Sequence, residues 1–149
     1  MPDRLYLEDL HVGQRFTSAS YDVTAEEIVR FAAEWDPQPF HLDPEAAQAT
    51  FFGGLAASGW HTAAISMRLN VAGGLPLAGG VIGTGGELLW LKPVRPGDTL
   101  RVEYEVLELT PSRSKPDRGT AIVRCATLNQ HGEAVQTFTP KLVVFRRPR

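Results

Sequence analysis

Apolar residues recur at helical spacing in the first half of this chain and alternate in the second, and that change of period sets the predicted architecture. Leu5 to Gln14 reads as an irregular lead-in, and Arg15–Val23 as a first strand. Thr24 and Glu27 have the spacing of a capping box, each side chain satisfying the other's backbone N–H. The helix they open carries Ile28, Phe31, Ala32 and Trp35 on one face. Pro37 stops it, because the residue before a proline is driven out of the α region. Asp36 is thereby placed just past a helix end, in extended geometry. Asp43-Pro44-Glu45 predicts a second start, with Asp43 as N-cap and Pro44 in the first helical position. Phe51-Phe52-Gly53-Gly54 closes that short helix. From Ser58 to about Val71 a third helix is apolar on most sides, which places it inside a core.

Beyond Pro76 the period becomes two. Val81–Leu91 reads as a strand, glycine-rich at its start, and Pro96-Gly97-Asp98 as a turn. Thr99–Leu109 puts Leu100, Val102, Tyr104 and Val106 on one face and Arg101, Glu103 and Glu105 on the other. The phase flips at Leu107 and Leu109, which predicts a bulge or bend. Pro111–Arg118 is a polar, basic loop. Gly119–Leu128 and Glu133–Phe145 are two further strands joined by a turn at Asn129-Gln130-His131-Gly132. Pro140 belongs at an edge or an irregularity, since it cannot donate to a ladder. The class is α+β: a curved antiparallel sheet around a central apolar helix, in one domain spanning residues 1–149.

Composition narrows the functions. The 149 residues carry a net charge of -2, which argues against a nucleic-acid partner. The single cysteine, Cys125, forbids an internal disulfide and sits in an apolar run as a small buried hydrophobe. The charged N-terminal stretch shows no secretory signal, and no apolar run approaches the ~20 residues of a membrane span. The expectation is a cytoplasmic protein. The histidines His11, His41, His61 and His131 are scattered without metal-ligand spacing, so no metal and no cofactor are expected. Gly83-Thr84-Gly85-Gly86 lies within a strand pattern and is no phosphate loop.

The residues with chemistry to offer lie between Glu34 and Leu69. Asp36 and His41 flank two prolines, which stiffen the segment and lower the entropy lost in holding an acid–base pair in one geometry. Such positioning matters, because a misplacement of about 1 Å can cost on the order of a hundredfold in rate. Histidine is the natural proton donor or acceptor near neutral pH, and a carboxylate beside it could share one water. Ser58-Gly59 opens the apolar helix, whose first N–H groups and positive dipole end suit an oxyanion on a thioester carbonyl. Ser58 also serves as a plain N-cap. His61, one turn on, reads as a packed core residue or a support for the site. On spacing alone, Asp36 as a turn residue and His41 as a packed histidine is the favoured reading.

At these residues the sequence resembles the MaoC-like dehydratases, the (R)-specific enoyl-CoA hydratase group of the hotdog superfamily. That group's D-x-N-P-x-H signature corresponds to Asp36-Pro37-Gln38-Pro39-Phe40-His41, and its G-F-G-x-x-A-H-G entry to the central helix corresponds to Phe52 through Gly59. LLWLKPVRPGDTL and SRSKPDRGTAIVRCATLNQHGEAV are similar to the family as well. The resemblance implies a hotdog fold, a homodimer or higher oligomer with the acyl chain near the subunit interface, and reversible hydration of a trans-2-enoyl thioester to a (3R)-hydroxyacyl thioester. Asp36 and His41 would activate water, and the Gly59 amide would polarise the carbonyl. Gln38 stands where the family has asparagine and Ser58 where it has histidine. Trp60 follows, and would shorten the acyl pocket if it points there.

The substrate's carrier, CoA or an acyl carrier protein, needs a docking surface, and Lys92, Arg95, Lys115 and Arg118 are the candidate phosphate contacts. Solvated loop charges are the competing reading of those four. A hotdog thioesterase and a non-catalytic acyl-CoA-binding subunit are the rival functions, since a fold alone does not fix an activity.

Overall fold

The structure, a computed structural model, describes residues 4–149. The charged start at residues 1–3, part of the expectation about secretion, lies outside the described residues. The sheet has six strands: β1 (Arg15–Thr17), β2 (Tyr21–Asp22), β3 (Ile82–Trp90), β4 (Thr99–Pro111), β5 (Arg118–Leu128) and β6 (Ala134–Phe145). Its order is β1-β4-β5-β6-β3, with β2 also on β4 and every strand pair antiparallel. The helices are α1 (Ala25–Trp35), α2 (Pro39–Leu42), α3 (Pro44–Ala47) and α4 (Gly59–Leu69), the last running into a π-type turn at Asn70–Gly74.

The alternation in β4 does what a half-buried strand requires. Leu100, Val102, Tyr104 and Val106 are buried against the helices while Glu103 faces water. The pairing of β4 with β5 shifts between Val106 and Glu108, so Leu107 is the bulge that the phase change predicts. Pro140 lies inside a central strand opposite Gly86, where the pairing of β3 with β6 shifts between Gly83 and Gly86. The irregularity is there; the edge is not.

Four expectations need correction. The first strand is two short ones, because Ser18 accepts the Val102 N–H through its hydroxyl and breaks the run. Only half of the capping box forms: Thr24 Oγ1 accepts the Glu27 N–H at 3.2 Å, but the Glu27 carboxylate accepts the Tyr21 hydroxyl instead. On α1, Ile28 and Ala32 are fully buried, whereas Trp35 is 71% exposed. The apolar helix α4 is not wrapped on all sides. Ile65 and Leu69 face the core, but Trp60 and Met67 are exposed, as are Leu89 and Trp90 on β3, the open edge of the sheet.

No helix among the described residues is long and apolar enough to cross a membrane.

Candidate active site

Asp36 caps the C-terminus of α1 with a backbone that is neither helical nor the extended one expected (φ −155°, ψ 67°), held out of the helix by the proline that follows. Pro39 then starts α2, so His41 sits on a single helical turn rather than on the loop expected from the sequence. The turn aims the imidazole inward, where it is 4% exposed and packed edge-on against Phe40. Its Nδ1 lies 2.6 Å from the Ala56 carbonyl oxygen, which can only accept, so Nδ1 carries the hydrogen. Nε2 is left facing Asp36 Oδ2 at 3.3 Å. In the neutral ring that nitrogen is a lone pair opposite a carboxylate, so the two acceptors need a shared proton, or a water beside them that donates to both.

The carboxylate is held from its other side. Gln38 Nε2 donates to Asp36 Oδ1 at 2.5 Å, so the longer amide does reach the aspartate. Burial alone would raise the Asp36 pKa, but hydrogen bonds from Gln38 and Ser58 and the neighbouring His41 outweigh it and hold the carboxyl below its ordinary value. Ser58 is fully buried and also caps α4, its Oγ accepting the Trp60 N–H at 3.2 Å. Ser58 thus lies both beside the acid and at the N-terminus of the apolar helix. The N–H of Gly59 has no hydrogen-bond acceptor among the described residues.

The structure brings together Asp36, Gln38, His41, Ser58 and Gly59. It adds Trp90, which the sequence reading missed. A Cβ on Gly59 would lie 2.6 Å from Cδ2 and 2.8 Å from Cζ2 of the Trp90 indole, so glycine is required there by a packed ring. Trp60 lies edge-on to Trp90 with ring centroids 5.0 Å apart, and Trp90 Nε1 donates to Gln136 Oε1 at 3.1 Å. The only sequence signal for Trp90 was an aromatic at a strand end.

The four basic candidates are not gathered at the pair. Arg95 donates to the carbonyls of Phe52, Gly54 and Leu55, pinning the glycine-rich link that leads into α4. Lys92 pairs with Glu133. Lys115 lies in the exposed loop before β5, and Arg118 pairs with Asp117 and lies over the Phe145 ring. Phe145 is nine residues along β6 from Gln136, about 30 Å at ~3.3 Å per residue. A concavity of ≈ 720 Å³ beside Tyr6, Phe145 and Arg147 lies at that distant end too.

His61 is buried with its ring stacked on Phe31 (centroids 4.6 Å, 7° between planes), and its Nδ1 has no hydrogen-bond partner among the described residues. Cys125 is buried, and burial pushes its thiol pKa up to about 12, which suits a packed side chain and not a thiolate.

Comparison with known proteins gives the family and the fold. The family model described as "MaoC like domain" matches residues 9–127. The uncharacterised protein YdeM of Bacillus subtilis (strain 168) is 37% identical over 139 residues, 93% of this chain and 96% of that protein. A 3-hydroxybutyryl-CoA dehydratase of Methylorubrum extorquens is 34% identical over 113 residues, 74% of this chain and 69% of that one. The crystal structure of a MaoC-like dehydratase from Rhodospirillum rubrum superimposes with a TM-score of 0.96 at 63% identity, over 97% of this chain and 99% of that one. By sequence and by fold, this chain belongs to the MaoC-like family of hotdog proteins.

Proposed function

We propose that the protein is an acyl-thioester hydratase/dehydratase that adds water reversibly to a trans-2-enoyl-CoA, giving a (3R)-hydroxyacyl-CoA. The observation that carries this reading is the pair itself: His41 Nε2 facing Asp36 Oδ2 at 3.3 Å, beside the capped end of α4. A water beside the pair, donating to both, gives up a proton to it as its oxygen bonds to the β-carbon. Negative charge then moves onto the thioester oxygen, where the free Gly59 N–H and the positive end of α4 oppose it. The proton returns to the α-carbon, so atoms and charge balance without a redox partner. The matching dehydratase relative supports the reaction class, and CoA as carrier follows from the same likeness.

The working unit in this reading is a homodimer. The outer side of β3 has no strand partner among the described residues, Leu89, Trp90 and the following Leu91 are exposed there, and a second copy of that edge is the surface that would cover it. The activity test is loss of the conjugated enoyl absorbance with crotonyl-CoA. Asp36→Asn and His41→Ala should each lower kcat/KM more than about a hundredfold, the usual scale for general acid–base groups, while the far-ultraviolet circular dichroism is unchanged. Full activity in both variants would remove the mechanism, and thiol release without enoyl loss would make the protein a thioesterase.

A further inference from the structure

A neutral imidazole can carry its hydrogen on either nitrogen, and only one choice leaves Nε2 free to take a proton beside Asp36. In His41 that choice rests on one atom, the Ala56 carbonyl oxygen 2.6 Å from Nδ1. Both residues are buried, so neither group finds water if the two draw apart. Yet Ala56 belongs to a link, residues 52–57, with no helix or strand of its own, and it follows Gly53 (φ 64°) and Gly54. Glycine loses more conformational freedom on being fixed than any other residue, so such a link does not hold a carbonyl in place unaided.

What fixes it comes from the turn before β4. The Val94 carbonyl accepts the Ala57 N–H at 2.8 Å on one side of Ala56. On the other side the Arg95 guanidinium donates through Nη1 to the Gly54 and Leu55 carbonyls, at 3.0 and 3.3 Å, and through Nη2 to that of Phe52. Consecutive residues of one turn thus bracket the carbonyl that faces His41. The turn is itself tied down: buried Asp98 accepts the Arg95 N–H through Oδ2 at 2.8 Å and Gln130 Nε2 through Oδ1 at 2.9 Å. The grip on Phe52 reaches the histidine by a second route, since that ring lies 5.0 Å from the ring of Phe40 and 5.9 Å from the imidazole. All the side-chain hydrogen bonds of Arg95 among the described residues end on carbonyls of the link.

We infer that Arg95 is a positioning residue of the acid–base pair: it holds the Ala56 carbonyl on His41 Nδ1 and so keeps the Nε2 lone pair turned to Asp36. Its consequence for rate rests on the hydratase reading above, whereas its consequence for the ring does not. The tautomer is read by long-range proton–nitrogen correlation NMR on protein carrying isotope-labelled histidine, the His41 signals being those lost in His41→Ala. The wild type should show one neutral form, protonated at Nδ1. Arg95→Met should show a mixture of both tautomers, and so should Arg95→Lys, because an ammonium lacks the planar fork. With crotonyl-CoA, Arg95→Met should lower kcat by about tenfold or more and leave KM within about twofold, the mark of a disturbed proton-transfer group and not of a lost substrate contact. Should Arg95→Met not fold, Arg95→Gln, which keeps an amide donor for the same carbonyls, replaces it and should shift the ring in the same direction by less. A wild type protonated at Nε2, or a tautomer unchanged in whichever of those two variants folds, overturns the inference. A raised KM at unchanged kcat overturns it too, and returns Arg95 to the substrate's phosphates. A tautomer that shifts as expected in a protein without hydratase activity leaves it standing and removes the hydratase reading instead.

Discussion

Asp36 is held below the ordinary carboxyl pKa because two hydrogen bonds and a nearby imidazole outweigh its burial, so it enters the neutral range as the ionised form that a water-activating base must be. On α4, His61 is biased the other way, towards its neutral form. Burial holds the His61 pKa below 6.5, Glu27 drawing it part of the way back and Arg30 lowering it further. The unfolded chain therefore takes up a proton at this residue at a higher pH than the folded chain does. The neutral-ring stability is fully present above about pH 6.5 and falls as the pH drops from there towards the folded value. His61→Phe, which keeps the stack on Phe31 and removes the orphaned Nδ1, should flatten the dependence of the urea midpoint on pH below 6.5. An unchanged slope would mean that another group sets it. The sequence placed His61 in the core or behind the site, and the spacing of Asp36 and His41 was plain. What spacing could not supply was the tautomer, because the acceptor that fixes it is a backbone carbonyl fifteen residues away.

The link from Phe52 to Ala57 is an element without regular structure, yet it is the most heavily tied segment of the site. Arg95 holds three of its carbonyls, the Ala56 N–H donates to Phe40 O, the Ala57 N–H donates to Val94 O, and the Ala56 carbonyl holds His41. Arg95 had read as a phosphate contact because a sequence shows a charge but not a backbone acceptor some forty positions away. Arg95→Met should cost at least the ~1.5–3 kcal/mol of one charge-assisted hydrogen bond in thermal or urea unfolding. Arg95→Lys should recover little, since an ammonium cannot spread its donors over three carbonyls as the planar fork does. Equal stability of all three proteins would show that the link is held by its other bonds. The strand β4 was legible to the residue, bulge included, because one of its faces is buried and the other wet. α2 was not, since four residues are too few to show a period.

For the whole molecule, the curved sheet around α4 followed from the change of period at Pro76, but the open side did not. Trp60, Met67, Leu89 and Trp90 look like core residues in a sequence and are exposed in the single chain. If a second copy covers them, Leu89→Lys should convert the protein to a monomer in analytical ultracentrifugation, because a lysine on a strand edge opposes pairing. The same strand carries the indole that packs on Gly59. Subunit contact and oxyanion binding would then be joined through one side chain. On the hydratase reading, specific activity should decline when the protein is diluted below its dimer dissociation constant, and adding an excess of inactive Asp36→Asn protein should restore part of it through mixed pairs.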